Sequence, residues 1–318
     1  MGITIGRKNR RVNLLIADHV IRFLEMKEAG IVKNYGERYL PDGVISRGEI
    51  MDEELFVTIL EQCVDEWGIK KREVQFLVQD SHIALRKQLI PVTIPEHEIK
   101  GYVYMELGHS IHLPFEDPLF DYEVIGRNEE QQEILLFAAP DKAVMGYADL
   151  LEEVKLKPVV ADISFLSLYR LFHFTGQSHP GDHLLCLQFD LSAIQLSIFH
   201  DDKPLFSQHF RMNIEMKEWQ KRTNGVLYKN DETSLNGALE DSMVEIERVL
   251  NYYRFTVQQG NQGVTKILLT GDFPDLKLVE KRLTETFFLP VERIALQVNV
   301  PIEPGYEVIF GLGLKGAV

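Results

Sequence analysis

Two distant stretches of this chain carry the same order of hydrophobic patterns, and any fold must accommodate both. The first, VNLLIADHVIRFLEMK followed by GIVKNYGERYL, alternates and is rich in β-branched residues, predicting two or three antiparallel strands. MDEELFVTILEQCVDEWG then has apolar residues at helical spacing, with Asp52 as a good N-cap and Gly68 as a good stop. The second stretch, DHLLCLQFDLSAIQLSIFHDDKPLFSQHFRM, again reads as three strands, with Asp201 and Asp202 at a turn. A long helix over residues 239–257 follows, and a strand over 265–270 runs into Gly271. Asp18 and Asp190 hold equivalent places, each ending an apolar strand that feeds a hairpin. The duplication predicts two α/β lobes with a cleft between them, into which both acids point.

Residues 83–157 do not fit the repeat. They read as a strand (IALRKQLIPVTI), a helix over 95–111, two strands (PLFDYEVIG and EQQEILLFAAP) and a helix over 142–154, which makes an inserted α+β subdomain. The expected division is a first lobe from 1–84 and 157–181, the insertion at 85–156, and a second lobe from 182–318. Residues 220–236, rich in Asn, Lys, Thr and Gly, read as an exposed loop or short frayed helix.

At 318 residues, 45% hydrophobic, the chain is long enough for a large core. Single cores stop growing near roughly 250–300 residues, which also favours a lobed molecule. The formal charge of −14 argues against nucleic-acid binding, because neutralising phosphates needs a surplus of Lys and Arg. Cys63 and Cys186 lie in apolar stretches without the paired spacing of a zinc site or disulfide framework, and read as buried thiols in a reducing compartment. No window supplies the ~20 apolar residues needed to span a bilayer. The basic cluster Arg7, Lys8, Arg10 and Arg11 precedes too short an apolar run for a signal peptide. It reads as a solvated end, with contact to anionic lipid as the alternative. The expected location is cytoplasmic, with any membrane association indirect.

The run IHLPFEDPLFDYEVIG, followed by EILLFAAPDKAVMGYADLLEEVKLKPVVADISFLSLYR, resembles the signature stretch of the type IV pilus assembly protein PilM family. That family is similar in fold to the division protein FtsA and to the actin, Hsp70 and sugar-kinase group. Ile111, Pro114, Asp121 and Tyr122 keep the family pattern, while His112 stands where the family usually has proline. The similarity of pattern runs from about Val12 to Ile294. It implies duplicated actin-like (ASKHA, RNase H-like) α/β lobes with the insertion as a partner-binding, 1C-like subdomain. The function implied is that of a cytoplasmic scaffold or adaptor in pilus assembly, or in related competence or secretion systems. Its partner would be the cytoplasmic N-terminal tail of a PilN-like single-span membrane protein, with the pilus motor ATPase as a further candidate. An extended tail would dock in a groove between insertion and first lobe by strand-edge hydrogen bonds and side-chain pockets. Tyr102, Met105, Leu113 and Phe115 are the candidate contacts, each also suited to core packing.

In the actin-like fold, two hairpin turns hold nucleotide phosphates, each beginning Asp, apolar, Gly so that backbone N–H groups approach the phosphate. Here the turns read Asp18-His19-Val20 and Asp190-Leu191-Ser192, and the adenosine loop LLTGDFPDL keeps Gly271 but follows it with Asp272. The expectation is a degenerate site marked by Asp18, Asp190, Gly271 and Asp272, no cofactor and no turnover, with the strand-end acids capping turns. The alternative is a working ATPase in which Asp18 and Asp190 position Mg-ATP. Glu106, His109 and His112 are spaced so that at most two converge on a helix face, and no metal site is expected. No Gly-x-Ser-x-Gly elbow, phosphate-binding P-loop or Gly-x-Gly-x-x-Gly fingerprint occurs. The stretch PIEPGYEVIFGLGLKGAV is not the basic amphipathic helix of a polymerising FtsA-like protein.

Overall fold

A computed structural model describes residues 11–222, 225–294 and 305–316. Arg7, Lys8 and Arg10 of the basic cluster lie outside the described residues; Arg11 faces Glu73 at 3.8 Å.

The first repeat forms β1 (Val12–Ile16), β2 (Val20–Glu28) and β3 (Ile31–Tyr39), then a small hairpin of β4 (Ile45–Ser46) and β5 (Glu49–Ile50), α1 (Glu53–Glu66) and β6 (Glu73–Leu77). Asp52 caps α1 by accepting the Leu55 N–H at 3.0 Å, and Gly68 leaves it at φ +65°. The insertion forms β7 (Ala84–Pro91), α2 (Ile99–Glu106), β8 (Pro118–Arg127), β9 (Gln131–Pro140) and α3 (Asp141–Glu153). The chain returns through β10 (Lys157–Asp162) and α4 (Ser164–Phe174). The second repeat forms β11 (Leu184–Phe189), β12 (Ala193–His200), β13 (Lys203–Arg211), β14 (Trp219–Arg222), β15 (Gly225–Tyr228) and α5 (Glu232–Tyr252). It continues with β16 (Lys266–Thr270), α6 (Leu276–Phe287), β17 (Val291–Glu292) and α7 (Glu307–Gly313).

Two five-stranded sheets result, ordered β10-β6-β1-β2-β3 and β13-β12-β11-β16-β17. In each, an antiparallel meander joins parallel strands through its first member: β1 pairs antiparallel with β2 and parallel with β6, and β11 does the same with β12 and β16. Every residue of β1 and β11 is buried, as expected for strands covered on both faces. The matching topology brings the β1–β2 and β11–β12 turns to one cleft.

α4 and α7 cross between the sheets. They share an apolar cluster with both, including Phe165, Leu168, Ile309 and Leu312 alongside Leu15, Cys186 and Phe199. A Cβ on Gly311 would stand 1.8 Å from the Ser167 carbonyl oxygen, so only glycine permits this crossing. The sequence reading assigned residues 182–318 to the second lobe, yet α7 packs on β1, β2 and β6 of the first sheet. Its run EVIFGLG offers no polar face for solvent.

The insertion is a three-stranded sheet, β7-β9-β8, covered by α2 around Ile90, Ile99, Val103, Phe120, Ile134 and Leu136. α3 turns its apolar face away from that core, and Val144, Tyr147, Leu150 and Leu151 join the first-lobe core. The insertion also meets the second lobe, where Lys203 Nζ donates to the Ile125 carbonyl at 3.2 Å.

Two local expectations change. The helix expected over 95–111 ends at Glu106, whose carbonyl receives the N–H groups of His109, Ser110 and Ile111 as the chain bends at Gly108. Of residues 220–236, those up to Arg222 belong to β14, Gly225–Tyr228 form β15, and α5 begins at Glu232. Trp219 and Tyr228 face each other across the β14–β15 hairpin with ring centroids 5.1 Å apart, and Asp231 caps α5 by accepting the Ser234 N–H at 2.8 Å.

Candidate functional site

The cleft between the sheets collects Asp18, His19, Arg22, Asp80, Asp190, Gly271, Asp272 and Glu307. Asp18 sits on the β1–β2 turn, and its carboxylate accepts the N–H groups of Arg47 (2.8 Å) and Gly48 (2.9 Å) from the β4–β5 hairpin. Arg211 of β13 approaches it at 3.9 Å. Asp190 accepts the backbone N–H of Asp272 at 3.0 Å and the Gln188 amide at 2.9 Å. Both acids thus receive backbone donors, as turn-capping carboxylates do. Burial, aided by the neighbouring Asp272 charge, pushes the Asp190 carboxyl above its ordinary range.

Asp272 stands beyond the end of β16 and reaches across the cleft. It accepts from Arg22 Nη1 at 2.7 and 2.9 Å and meets His19 Nε2 at 2.8 Å. Burial alone would raise its carboxyl, but the Arg22 charge and the His19 hydrogen bond outweigh that and hold it well below the usual carboxylate range. Arg22 also donates to Glu37 at 3.0 Å through Nε and to the Gly305 carbonyl at 3.1 Å. Despite burial, these acids raise its pKa further, so it stays charged.

The bulk in this cleft comes from a different place than the turn sequences suggest. Val20, which stands where the fold's phosphate turn has glycine, is fully buried in the central core and does not line the cleft. His19, Arg22 and Asp272 fill the space instead, leaving about 100 Å³ for solvent. Gly271, at φ +120°, is required by packing: a Cβ there would stand 2.2 Å from the Phe189 carbonyl oxygen. Two further acids close the walls. Asp80 bonds the Ser164 hydroxyl, and burial pushes its carboxyl up to about 7. Glu307 accepts the Gly305 N–H at 2.9 Å and is also raised, chiefly by burial.

A second concavity, of about 830 Å³, lies on the insertion and is lined by Tyr104, Leu113, Pro114, Phe115 and Leu119. Of the four contacts expected from sequence, Leu113 and Phe115 line it; Tyr102 packs on the insertion core, and Met105 stands free at 69% exposure. All walls come from residues 104–119 and Asp141. This groove therefore lies within the insertion, apart from the boundary between insertion and first lobe where the sequence leads one to expect the docking groove. Among the described residues no group of three or more His, Cys, Asp and Glu could hold a metal ion, and Glu106, His109 and His112 form no such cluster.

Sequence reasoning missed His19, Arg22, Gly305, Tyr104 and Leu119. Arg22 did carry a signal: a guanidinium inside the apolar run HVIRFL must find a buried carboxylate partner. Tyr104 could not be separated from its helix neighbours by periodicity, since α2 is only two turns long.

No helix among the described residues is long and apolar enough to cross a membrane. No curated protein matches the sequence. Among solved structures, the chain is similar to a PilM-PilN type IV pilus biogenesis complex, at 21% identity and a TM-score of 0.80, with 97% of this chain and 99% of that one covered. It is also similar to the ethanolamine utilization protein EutJ from Carboxydothermus hydrogenoformans, at 10% identity and a TM-score of 0.51, with 96% and 89% covered. These likenesses establish the actin-like fold. The family described as type IV pilus assembly protein PilM matches residues 15–304, nearly the whole described chain, and the protein belongs to that family.

Proposed function

We propose that this chain is a cytoplasmic scaffold of type IV pilus assembly. It binds the N-terminal tail of a PilN-like single-span membrane protein on its insertion and does not turn over ATP. The observation that carries the reading is the groove walled by residues 104–119, because it is built from the same IHLPFEDPLF run that carries the family pattern. Its apolar and aromatic lining suits side-chain anchors of an extended peptide, and Asp117 and Asp141 at its rim suit a basic one. The solved PilM-PilN complex supports the class of partner. Such a tail would hold a chain of charge −14 beside a membrane.

The cleft suits a triphosphate poorly. Asp272 occupies the adenosine loop, Asp18 is engaged by two N–H groups, and Asp80, Asp190 and Glu307 add carboxyl groups to the walls. One observation favours the alternative, an active ATPase: Asp18 and Asp190 lie at equivalent turns and line one cleft.

Two measurements decide. A labelled peptide of the partner's head should bind the full chain, and Leu119→Glu and Phe115→Ala should each weaken binding at least tenfold. Unchanged affinity in both variants removes the groove as the docking site. Calorimetric titration with ATP and magnesium should give no saturable heat; micromolar binding abolished by Asp190→Ala would establish the ATPase reading instead.

A further inference from the structure

The side chains that fill the cleft belong to different lobes. His19 and Arg22 come from the first turn and second strand of one sheet, and Asp272 comes from the loop after β16 of the other. We propose that they form a clasp between the lobes, which holds them closed and obstructs the site that a ligand bridging the two turns would use. This inference goes beyond the partner reading and stands whether or not a tail binds the insertion.

Several independent contacts make the clasp a built device. Arg22 is 3% exposed at its side chain and Asp272 11%, so their interaction is little screened by solvent. Arg22 is fixed before it reaches across: Glu37 of its own sheet holds Nε, and the Tyr306 ring lies 5.3 Å from the guanidinium carbon. Gly305 makes room for the junction, since a Cβ there would stand 2.1 Å from Asp272 Oδ1 and 2.9 Å from Arg22 Nη1. The Asp272 backbone N–H binds Asp190, so the clasp also engages the second turn's acid.

Further ties join the two lobes. Lys221 of the β14–β15 hairpin stands over the Tyr39 ring at 4.5 Å, and Arg211 faces Asp18 at 3.9 Å. Removing one member of a buried ion pair leaves the other uncompensated, so the closed arrangement loses far more than one ordinary contact when Asp272 is neutralised.

The test compares the full chain with Asp272→Asn by hydrogen exchange and small-angle scattering. The expected result is amide exchange rising roughly 100-fold in residues 15–24 and 270–276, with β9 of the insertion unchanged and the radius of gyration enlarged. Unchanged exchange and radius overturn the proposal. So does exchange that rises equally everywhere, which marks a merely structural contact. If Asp272→Asn does not fold, Arg22→Lys is read the same way, because it keeps the charge and loses the Glu37 tether: a local rise supports the clasp, and a uniform rise or none overturns it.

Discussion

Replacing Gly311 by alanine should destabilise the protein, although the same change in most helix interiors stabilises by about 1 kcal/mol. The new Cβ would stand 1.8 Å from the Ser167 carbonyl oxygen and 2.5 Å from its carbon, so α4 and α7 must part by well over 1 Å. A gap of ~0.5–1 Å already forfeits a quarter to a half of each dispersion contact along a seam. That seam holds Phe165, Leu168, Leu171, Val308, Ile309 and Leu312. Overpacking of this kind typically costs ~1–3 kcal/mol. Loss of the 2.8 Å bond from Arg170 Nη1 to the Gly311 carbonyl adds about 1 kcal/mol. Set against the propensity gain, the net loss is ~1–3 kcal/mol. With unfolding entropy of ~2.1 cal/mol/K per residue, the midpoint should fall by roughly 1.5–4.5 °C. Gly146→Ala is the control, since it lies in α3 with nothing within 4 Å of the added Cβ, and it should raise the midpoint slightly. Scanning calorimetry on parent and both variants measures this. A Gly311→Ala midpoint at or above the parent's refutes the close crossing.

Asp80→Asn should change how stability depends on pH. The folded carboxyl takes up its proton as pH falls through about 7, while the unfolded one does so only in the ordinary carboxylate range. The folded parent therefore gains on the variant as pH falls from about 8 to 5, by at most one proton or ~1.4 kcal/mol per pH unit. Urea midpoints for both proteins at three pH values check this, and parallel curves refute it. Both thiols should be inert in the native state: burial pushes Cys63 up to about 11 and Cys186 further, and both are fully buried. A disulfide reagent at pH 8 should find two thiols in denaturant and none within minutes without it; a fast native phase contradicts the burial.

The duplicated order of strands was legible because each repeat announces itself locally. β1 and β11 are apolar but for Asn13 and Gln188, and Asp52 and Gly68 punctuate α1. The β14–β15 hairpin was not, since its polar strands are recognised only once Trp219 packs inward, donating its indole N–H to the Leu191 carbonyl at 2.9 Å. In the candidate site, Asp18, Asp190, Gly271 and Asp272 were all named from their places at strand ends, and all line the cleft. What they do there depends on residues hundreds of positions away. Asp272 reads as an intrusive charge until Arg22, 250 residues earlier, is seen against it. The insertion groove was half legible: Leu113 and Phe115 were named as contacts, while Leu119 of the same IHLPFEDPLF run becomes a wall only when β8 pairs with β9.

The placement of α7 has a consequence for biosynthesis. Gln75 Nε2 donates to the Leu312 carbonyl, a contact spanning 237 residues, so the back of the first sheet stays uncovered until that late segment has emerged from the ribosome. At ~5–20 residues per second the wait is on the order of 10–50 s. During that interval the first sheet lacks the cover of α7, and its final packing waits on that segment.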